Sequence, residues 1–123
     1  MSEASFTPIV YVRTGCPFCL KLRLFLLESR LLDRVTLREG QTPEEHQRLA
    51  DYLTERLGKA SFPSAEIAPN EYLGDSDTLV AYFARESGVE PDGLPTYQAY
   101  VGGVMPQLQQ LYRENIELKQ RTS

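Results

Sequence analysis

The chain has 123 residues, of which 41% are hydrophobic, and its 13 basic and 17 acidic residues leave a net charge of −4. This length suits one domain of ordinary size with a core of its own. The acidic balance argues against nucleic acid as the main partner, because phosphate binding depends on clustered positive charge. Two cysteines are too few for a disulfide-rich scaffold, and with one histidine they cannot complete a structural zinc site within one chain.

Hydropathy predicts neither a membrane span nor a secretory signal. No run approaches the roughly 20 apolar residues that cross a bilayer. The first five residues lack a basic segment followed by an apolar one. We therefore expect a cytoplasmic protein, in a compartment that keeps thiols reduced, where a close cysteine pair is more often catalytic or metal-binding than structural.

The hydrophobic pattern predicts alternating strands and helices through most of the chain. The predicted strands are at 8–12, 34–38, 63–67 and 72–73, and the predicted helices are at 17–32, 42–58 and 75–88. The opening strand–helix–strand unit implies a parallel pair of strands with a right-handed crossover. The order β-α-β-α-β-β-α therefore predicts an α/β sandwich around a small sheet.

Two of these helices carry recognisable end signals. Thr42 is the expected N-cap of the second helix, with Pro43 at its first position and Glu45 completing a capping box. Gly58 and Gly88 are the expected stops of the second and third helices.

The last third of the chain is less regular. Residues 89–103 contain three glycines and two prolines and predict a loop around a short helical or irregular piece. A final helix is expected from Val104 to Lys119, because apolar residues recur there on roughly one face with Asn115 as the polar member. This face is expected to pack on the domain, with a dimer contact as the alternative.

These patterns predict one domain over residues 1–123. Its core is expected at about 8–88 and a C-terminal helical extension at about 89–123. The expected state is a monomer, or a weak homodimer formed through the C-terminal helix.

The two cysteines directly follow the first strand and open the first helix, as Cys16 and Cys19. Unpaired N–H groups and the helix dipole favour a thiolate at a helix N-terminus, and Pro17 suits the first helical position. Cys16 is therefore the expected low-pKa thiol, and Cys19, one turn later, can attack a mixed disulfide formed on Cys16. Such a pair in a βαβ context is a redox signature. Two inert core cysteines, or half of a metal site completed by a second chain, are the alternatives.

Three segments resemble motifs of the glutaredoxin family, in the family's order. Residues 13–19, RTGCPFC, are similar to the family's dithiol active-site loop. The segment that ends in a cis proline is similar to residues 58–63, GKASFP, and the glycine–aspartate element to residues 72–77, YLGDSD. A weaker resemblance connects the chain to the N-terminal thioredoxin-like domain of glutathione transferases.

The resemblance implies a thioredoxin-like three-layer sandwich with a mixed four-stranded sheet and a glutathione-dependent thiol–disulfide oxidoreductase activity. It implies Cys16 as nucleophile and Cys19 as resolving thiol, with no bound cofactor, no metal and glutathione as co-substrate. The residues implied to contact glutathione are Arg13, Phe18, Phe62, Pro63, Ser76 and Asp77. The implied partners are glutathione and disulfide-bonded or glutathionylated proteins, with no nucleic acid and no membrane.

Four positions depart from the family pattern. Ala60 replaces a basic residue, Ser61 a threonine, Phe62 a smaller apolar residue, and Leu73 a glycine. These departures keep a second hypothesis open, a non-catalytic thioredoxin-fold module that binds glutathione or a partner. A third is an iron–sulfur or zinc site at Cys16 that bridges two chains.

The remaining sequence offers no second site. It contains no phosphate-binding loop, no Ser/His/Asp set and no cluster of metal ligands. Three further polar side chains are expected on the solvated surface: Lys21, Arg23 and His46. Three tyrosines are expected in the core or at a self-association surface: Tyr97, Tyr100 and Tyr112.

Overall fold

A computed structural model describes residues 6–122. The expectation of no secretory signal rests on the first five residues, which lie outside the described residues. Over residues 6–122 the strands are β1 (Ile9–Arg13), β2 (Thr36–Gly40), β3 (Ser64–Ala68) and β4 (Glu71–Gly74). The α-helices are α1 (Pro17–Glu28), α2 (Pro43–Leu57), α3 (Ser76–Ser87), α4 (Pro95–Ala99) and α5 (Met105–Thr122). Single 3₁₀ turns lie at Leu32–Arg34 and Pro91–Gly93, and a π-helical segment at Tyr100–Val104 joins α4 to α5.

The four strands form one mixed sheet in the order β2-β1-β3-β4. Strand β1 pairs parallel with β2 and antiparallel with β3, and β3 pairs antiparallel with β4. Val10 of β1 lies opposite Leu37 on one side and Ala65 on the other. The predicted parallel pair and the mixed four-stranded sheet are confirmed.

Side-chain alternation along β1 divides the molecule into three layers. Val10 and Val12 join the buried core that α1 and α3 supply, in which Leu22 and Phe25 are fully buried. Tyr11, between the two valines, contacts Tyr52 of α2 with ring centroids 5.6 Å apart. The sheet therefore lies between α2 and the α1–α3 pair, as the predicted sandwich requires.

The expected end signals of α2 and α3 are present. The Glu45 N–H donates to Thr42 Oγ1 at 3.1 Å, and the Thr42 N–H donates to Glu45 Oε1 at 3.1 Å, which is a complete capping box. Gly58 and Gly88 end α2 and α3 with φ values of 83° and 74°, in the left-handed region that glycine adopts without steric cost.

Helix α1 ends at Glu28, earlier than the predicted end near Leu32. The Ser29 Oγ donates to the carbonyl oxygen of Leu26, and Arg30 takes a left-handed φ of 66°, which turns the chain away from the helix. Leu31 and Leu32 still pack against the core. Because these two leucines continue the apolar pattern of α1, the sequence predicted the end of the helix too late.

The short helical piece predicted within the loop at 89–103 is α4, which begins at Pro95. The carboxylate of Glu28, at the end of α1, accepts hydrogen bonds from the Thr96 N–H at 3.0 Å and the Tyr97 N–H at 2.7 Å. It thereby satisfies two N–H groups that a helix N-terminus leaves unpaired. Tyr97 packs edge-on against Phe25 with centroids 5.7 Å apart. Tyr97 thus joins the buried core.

Helix α5 contradicts the expectation that its apolar face packs on the domain. Met105 is buried, but every residue from Gln110 to Arg121 is exposed. The exposed apolar residues of the predicted face are Val104, Leu108, Leu111, Tyr112 and Leu118. Three tyrosines were expected in the core or at a self-association surface. Tyr97 and Tyr100 are buried in the core, whereas Tyr112 is exposed.

Candidate active site

The two thiols lie where β1 gives way to α1. Cys16 is the N-cap of α1, with Pro17 at the first helical position, and its Sγ accepts a hydrogen bond from the Cys19 N–H at 3.3 Å. Both cysteines are free thiols. Cys16 is 8% exposed and Cys19 only 1%, so a substrate sulfur can approach Cys16 alone.

The surroundings of the pair separate the two thiols electrostatically. A hydrogen bond from the Cys19 thiol is the largest influence that lowers the pKa of Cys16, which falls to about 6. The backbone N–H groups of Cys19 and Phe18 and the charge of Arg13 act in the same direction, against the effect of burial. The same hydrogen bond, with burial, raises the pKa of the Cys19 thiol. These surroundings therefore favour the thiolate at Cys16 and the protonated thiol at Cys19.

A second segment reaches Cys16 from the loop before β3. The Phe62–Pro63 peptide bond is cis, as the resemblance implied. The carbonyl oxygen of Phe62 lies 3.9 Å from Cys16 Sγ, and Pro63 is fully buried. The Phe62 ring contacts the ring of His46 with centroids 5.0 Å apart. The expectation that His46 is a solvated surface residue is wrong, since the residue is half-buried and its Nδ1 is a buried atom without a hydrogen-bond partner in the described part of the chain.

A cavity of about 260 Å³ opens beside Cys16. It is lined by both cysteines, by Arg13, and by five residues that are not among the predicted site residues: Thr14, Arg23, Glu39, Tyr100 and Leu108. The Thr14 hydroxyl donates to Glu39 at 2.9 Å, and an Arg23 guanidinium nitrogen lies 3.4 Å from the same carboxylate. The Thr14 hydrogen bond is the main cause that lowers the pKa of Glu39. Arg23, which was expected on the solvated surface, is partly exposed and also forms part of the cavity wall.

A second cavity, of about 290 Å³, opens beside Phe62. Four of the predicted glutathione-contact residues line it together with Lys21: Phe18, Phe62, Ser76 and Asp77. Lys21 is buried, which contradicts its expected place on a solvated face, and its Nζ donates to Asp77 Oδ1. Asp75 is the N-cap of α3, so Ser76 takes the first helical position, where it is buried.

The C-terminal segment completes both cavities. Leu108 of α5 lines the cavity at Cys16, and Met105 and Gln109 line the cavity at Phe62. The Tyr100 hydroxyl donates to the carbonyl oxygen of Pro17 at 2.7 Å, which joins the π-helical segment to the active-site helix. Five of the six predicted contact residues thus line these two cavities, Arg13 the one at Cys16 and the other four the one at Phe62, whereas Pro63 is fully buried and lines neither.

Residues 6–122 include no group of three or more histidine, cysteine, aspartate or glutamate residues placed to hold a metal ion. In the same part of the chain, no helix combines the length and the apolar character needed to span a bilayer.

A four-stranded mixed sheet with a thiol pair at the start of α1 defines a thioredoxin-fold protein. No protein-family model matches the chain, and no curated protein matches its sequence. Among solved structures it is similar to oxidized glutaredoxin 2 from Chlamydomonas reinhardtii, with a TM-score of 0.54 and 23% identity, over 78% of this chain and 82% of that one.

Two transferases are similar over a comparable share of this chain. A glutathione S-transferase from the Antarctic clam Laternula elliptica has a TM-score of 0.57 and 17% identity, over 70% of this chain and 37% of that one. Glutathione transferase Omega 3C from Trametes versicolor has a TM-score of 0.56 and 17% identity, over 80% of this chain and 43% of that one. The chain spans less than half the length of these transferases. The expected likeness to both groups is confirmed, and at these identities it establishes the thioredoxin fold.

Proposed function

We propose that the protein is a glutathione-dependent thiol–disulfide oxidoreductase that reduces protein disulfides or glutathione mixed disulfides. One observation carries the proposal: Cys16, the N-cap of α1, accepts a hydrogen bond from the Cys19 N–H at 3.3 Å and is the more exposed of the two thiols, at 8% against 1%. The thiolate is the species that attacks a disulfide. A cytoplasmic location belongs to the same proposal, since that compartment keeps both thiols reduced.

The proposed reaction begins at Cys16. Its thiolate attacks one sulfur of the substrate disulfide, so that a mixed disulfide forms and the other substrate sulfur leaves as a thiolate. Cys16 then carries no charge, and the hydrogen bond that raises the pKa of Cys19 is lost. Cys19 can now ionise and attack Cys16 Sγ, which releases the second substrate thiol and leaves a Cys16–Cys19 disulfide. Two molecules of glutathione reduce this disulfide and become glutathione disulfide.

The residues around the thiols offer complementary contacts for glutathione. Arg13 faces the cavity at Cys16 and suits a carboxylate. Ser76 begins α3, where backbone N–H groups suit a second carboxylate. The Asp77 side chain is 83% exposed, so it can accept an ammonium group while it holds Lys21. The Phe62 backbone, close to Cys16 Sγ, can pair with the extended backbone around a substrate cysteine.

The test is a glutathione-coupled assay on a glutathionylated peptide, compared with thioredoxin reductase as electron donor. We expect Cys16→Ser to abolish turnover and Cys19→Ser to retain part of it, because reduction of a glutathione mixed disulfide needs one thiol only. Ser29→Ala, outside the site, is the matched control and should keep full activity. Wild-type turnover in Cys16→Ser would overturn the proposal.

The second candidate is a non-catalytic thioredoxin-fold module that binds glutathione or a partner. The observation that favours it is the position of α5, which lines both cavities: Leu108 lines the one at Cys16, and Met105 lines the one at Phe62. Calorimetric titration of glutathione, with the alkylation rate of Cys16, separates the two candidates. Tight glutathione binding without disulfide reduction would support the module.

A further inference from the structure

The second half of α5 is an exposed helix with an apolar stripe. Every residue from Gln110 to Arg121 is exposed, and Leu111 and Leu118 are 61% and 56% exposed. A helix of this length is marginal in water unless tertiary or quaternary packing covers an amphipathic face. The stripe therefore identifies a surface that needs an occupant.

The spacing of the stripe identifies the kind of occupant. Leu108, Leu111, Asn115 and Leu118 follow one another at intervals of three, four and three residues. This spacing is the alternation of a and d positions in a heptad, which is the pattern of a coiled-coil seam. The resulting apolar stripe is narrower than the apolar face of a helix that packs on a globular core. Leu108 and Asn115 take a positions, and Leu111 and Leu118 take d positions.

We propose that α5 pairs with α5 of a second copy of this chain in a parallel two-stranded coiled coil. Asn115 supports this arrangement, because an asparagine at a single a position specifies register and favours two strands. In a parallel pair it faces Asn115 of the partner subunit, so the two amides can hydrogen-bond to each other. In an antiparallel pair it would face a leucine and leave a buried amide unsatisfied.

The charges beside the seam agree with the parallel orientation. Glu114 occupies a g position and Lys119 an e position, five residues later. In a parallel dimer a g residue meets the e residue five positions later on the other helix. Glu114 thus meets Lys119 of the partner subunit, and the symmetry of the dimer repeats this attraction on the other side.

The seam also adjoins the candidate active site. Leu108 is its first a position and a wall residue of the cavity at Cys16. A second helix seated against Leu108 would extend that wall. The proposed dimer therefore adds a surface from the partner subunit next to the nucleophile, whether or not the oxidoreductase activity is confirmed.

Sedimentation equilibrium of the full chain tests the proposal. All samples carry Cys16→Ser and Cys19→Ser, so that no disulfide can link the copies and the result does not depend on catalysis. We expect a mass of twice 14.0 kDa at high concentration, with reversible dissociation on dilution. Leu111→Glu should abolish the dimer. Ile116→Glu, an equally drastic change at a b position off the seam, should leave it intact.

Two further measurements address orientation. Glu114→Lys alone should abolish or weaken the dimer, and Glu114→Lys combined with Lys119→Glu should restore it, because only a parallel pair brings these positions together. Asn115→Cys should form an intermolecular disulfide under mild oxidation, whereas Glu117→Cys, at a c position, should not. A monomer at every concentration, a dimer that survives Leu111→Glu, or no rescue by the double charge exchange would overturn the proposal.

Discussion

The hydroxyl of Tyr100 donates a hydrogen bond to the carbonyl oxygen of Pro17 at 2.7 Å. The bond crosses 83 positions of sequence and fastens the π-helical segment to the first residue of the active-site helix. Through it, the C-terminal segment and the loop that carries Cys16 hold a defined position relative to each other. The C-terminal segment is thus part of the candidate site.

Replacing Tyr100 by phenylalanine removes this bond but keeps the buried ring. We expect Tyr100→Phe to lower the free energy of unfolding by about 1 kcal/mol, the net value of one such hydrogen bond. Urea denaturation measures the change. Tyr112→Phe is the matched control, because Tyr112 is 67% exposed on α5, and it should leave the stability unchanged. Equal effects of the two substitutions would show that the Tyr100 bond does not contribute.

The low pKa of Cys16 predicts the pH dependence of its reactivity. The thiolate fraction rises with pH, so the rate of alkylation by iodoacetamide should rise through a midpoint near the pKa of about 6. In Cys19→Ala the midpoint should move up toward the ordinary thiol pKa of about 8.5, because the largest stabilising hydrogen bond is gone. In Arg13→Ala it should move less far, because the charge of Arg13 is the weakest of the lowering influences.

The order of these two effects is the decisive result. A larger shift in Arg13→Ala than in Cys19→Ala would mean that the arginine charge, and not the neighbouring thiol, holds the thiolate. Cys16 is the reactive thiol in both variants, and mass spectrometry of the alkylated peptide verifies that the label is on it.

Local patterns predicted the parts of the fold that depend on neighbouring residues. The capping box of Thr42 and Glu45 and the stop at Gly58 are complete within a few positions of sequence, so their chemistry is visible in the sequence itself. The placement of Cys16 at the start of α1 is predictable for the same reason. The recurrence of apolar residues around Asn115 on α5 is also a local pattern, and it predicted the helix. It could not show that the residues from Gln110 to Arg121 are exposed and do not pack on the domain.

The features that sequence reasoning missed depend on distant partners. The short helical piece within 89–103 was predicted without bounds, because the Glu28 carboxylate that accepts a hydrogen bond from the Thr96 N–H lies 68 positions away. Lys21 is buried because Asp77 accepts its ammonium group across 56 positions. No periodicity records such pairings. The only available hint for Lys21 was its place between apolar residues on α1.

The cap on α4 can be tested by substitution. We expect Glu28→Ala to lower the free energy of unfolding by about 1–2 kcal/mol, because the Thr96 and Tyr97 N–H groups lose a charged acceptor at a helix N-terminus. Native-state hydrogen exchange should show faster exchange of these two amides in the variant. Glu117→Ala, on exposed α5, is the control. Unchanged protection of both amides would rule out capping by Glu28.

The Lys21–Asp77 pair provides a last prediction, which separates a structural role of Asp77 from ligand binding. Lys21 is buried, whereas the Asp77 side chain is largely exposed. Removing the carboxylate leaves an ammonium group that burial disfavours, so Asp77→Asn should lower the free energy of unfolding by about 1–3 kcal/mol. Lys21→Met combined with Asp77→Asn should recover much of this loss, because a flexible apolar side chain then fills the buried position. Urea denaturation of the single and double variants measures the coupling.

The glutathione affinity of the same variants shows whether Asp77 also contacts the ligand. If Asp77 accepts the ammonium group of glutathione, the stability-restored double variant should still bind glutathione more weakly than the wild type in calorimetry. The single variant Lys21→Met, which leaves the carboxylate in place, should bind at least as tightly, because Asp77 then has no internal cation to share. Wild-type affinity in the double variant would assign Asp77 to the support of Lys21 alone, and would place the ammonium contact elsewhere in the cavity beside Phe62.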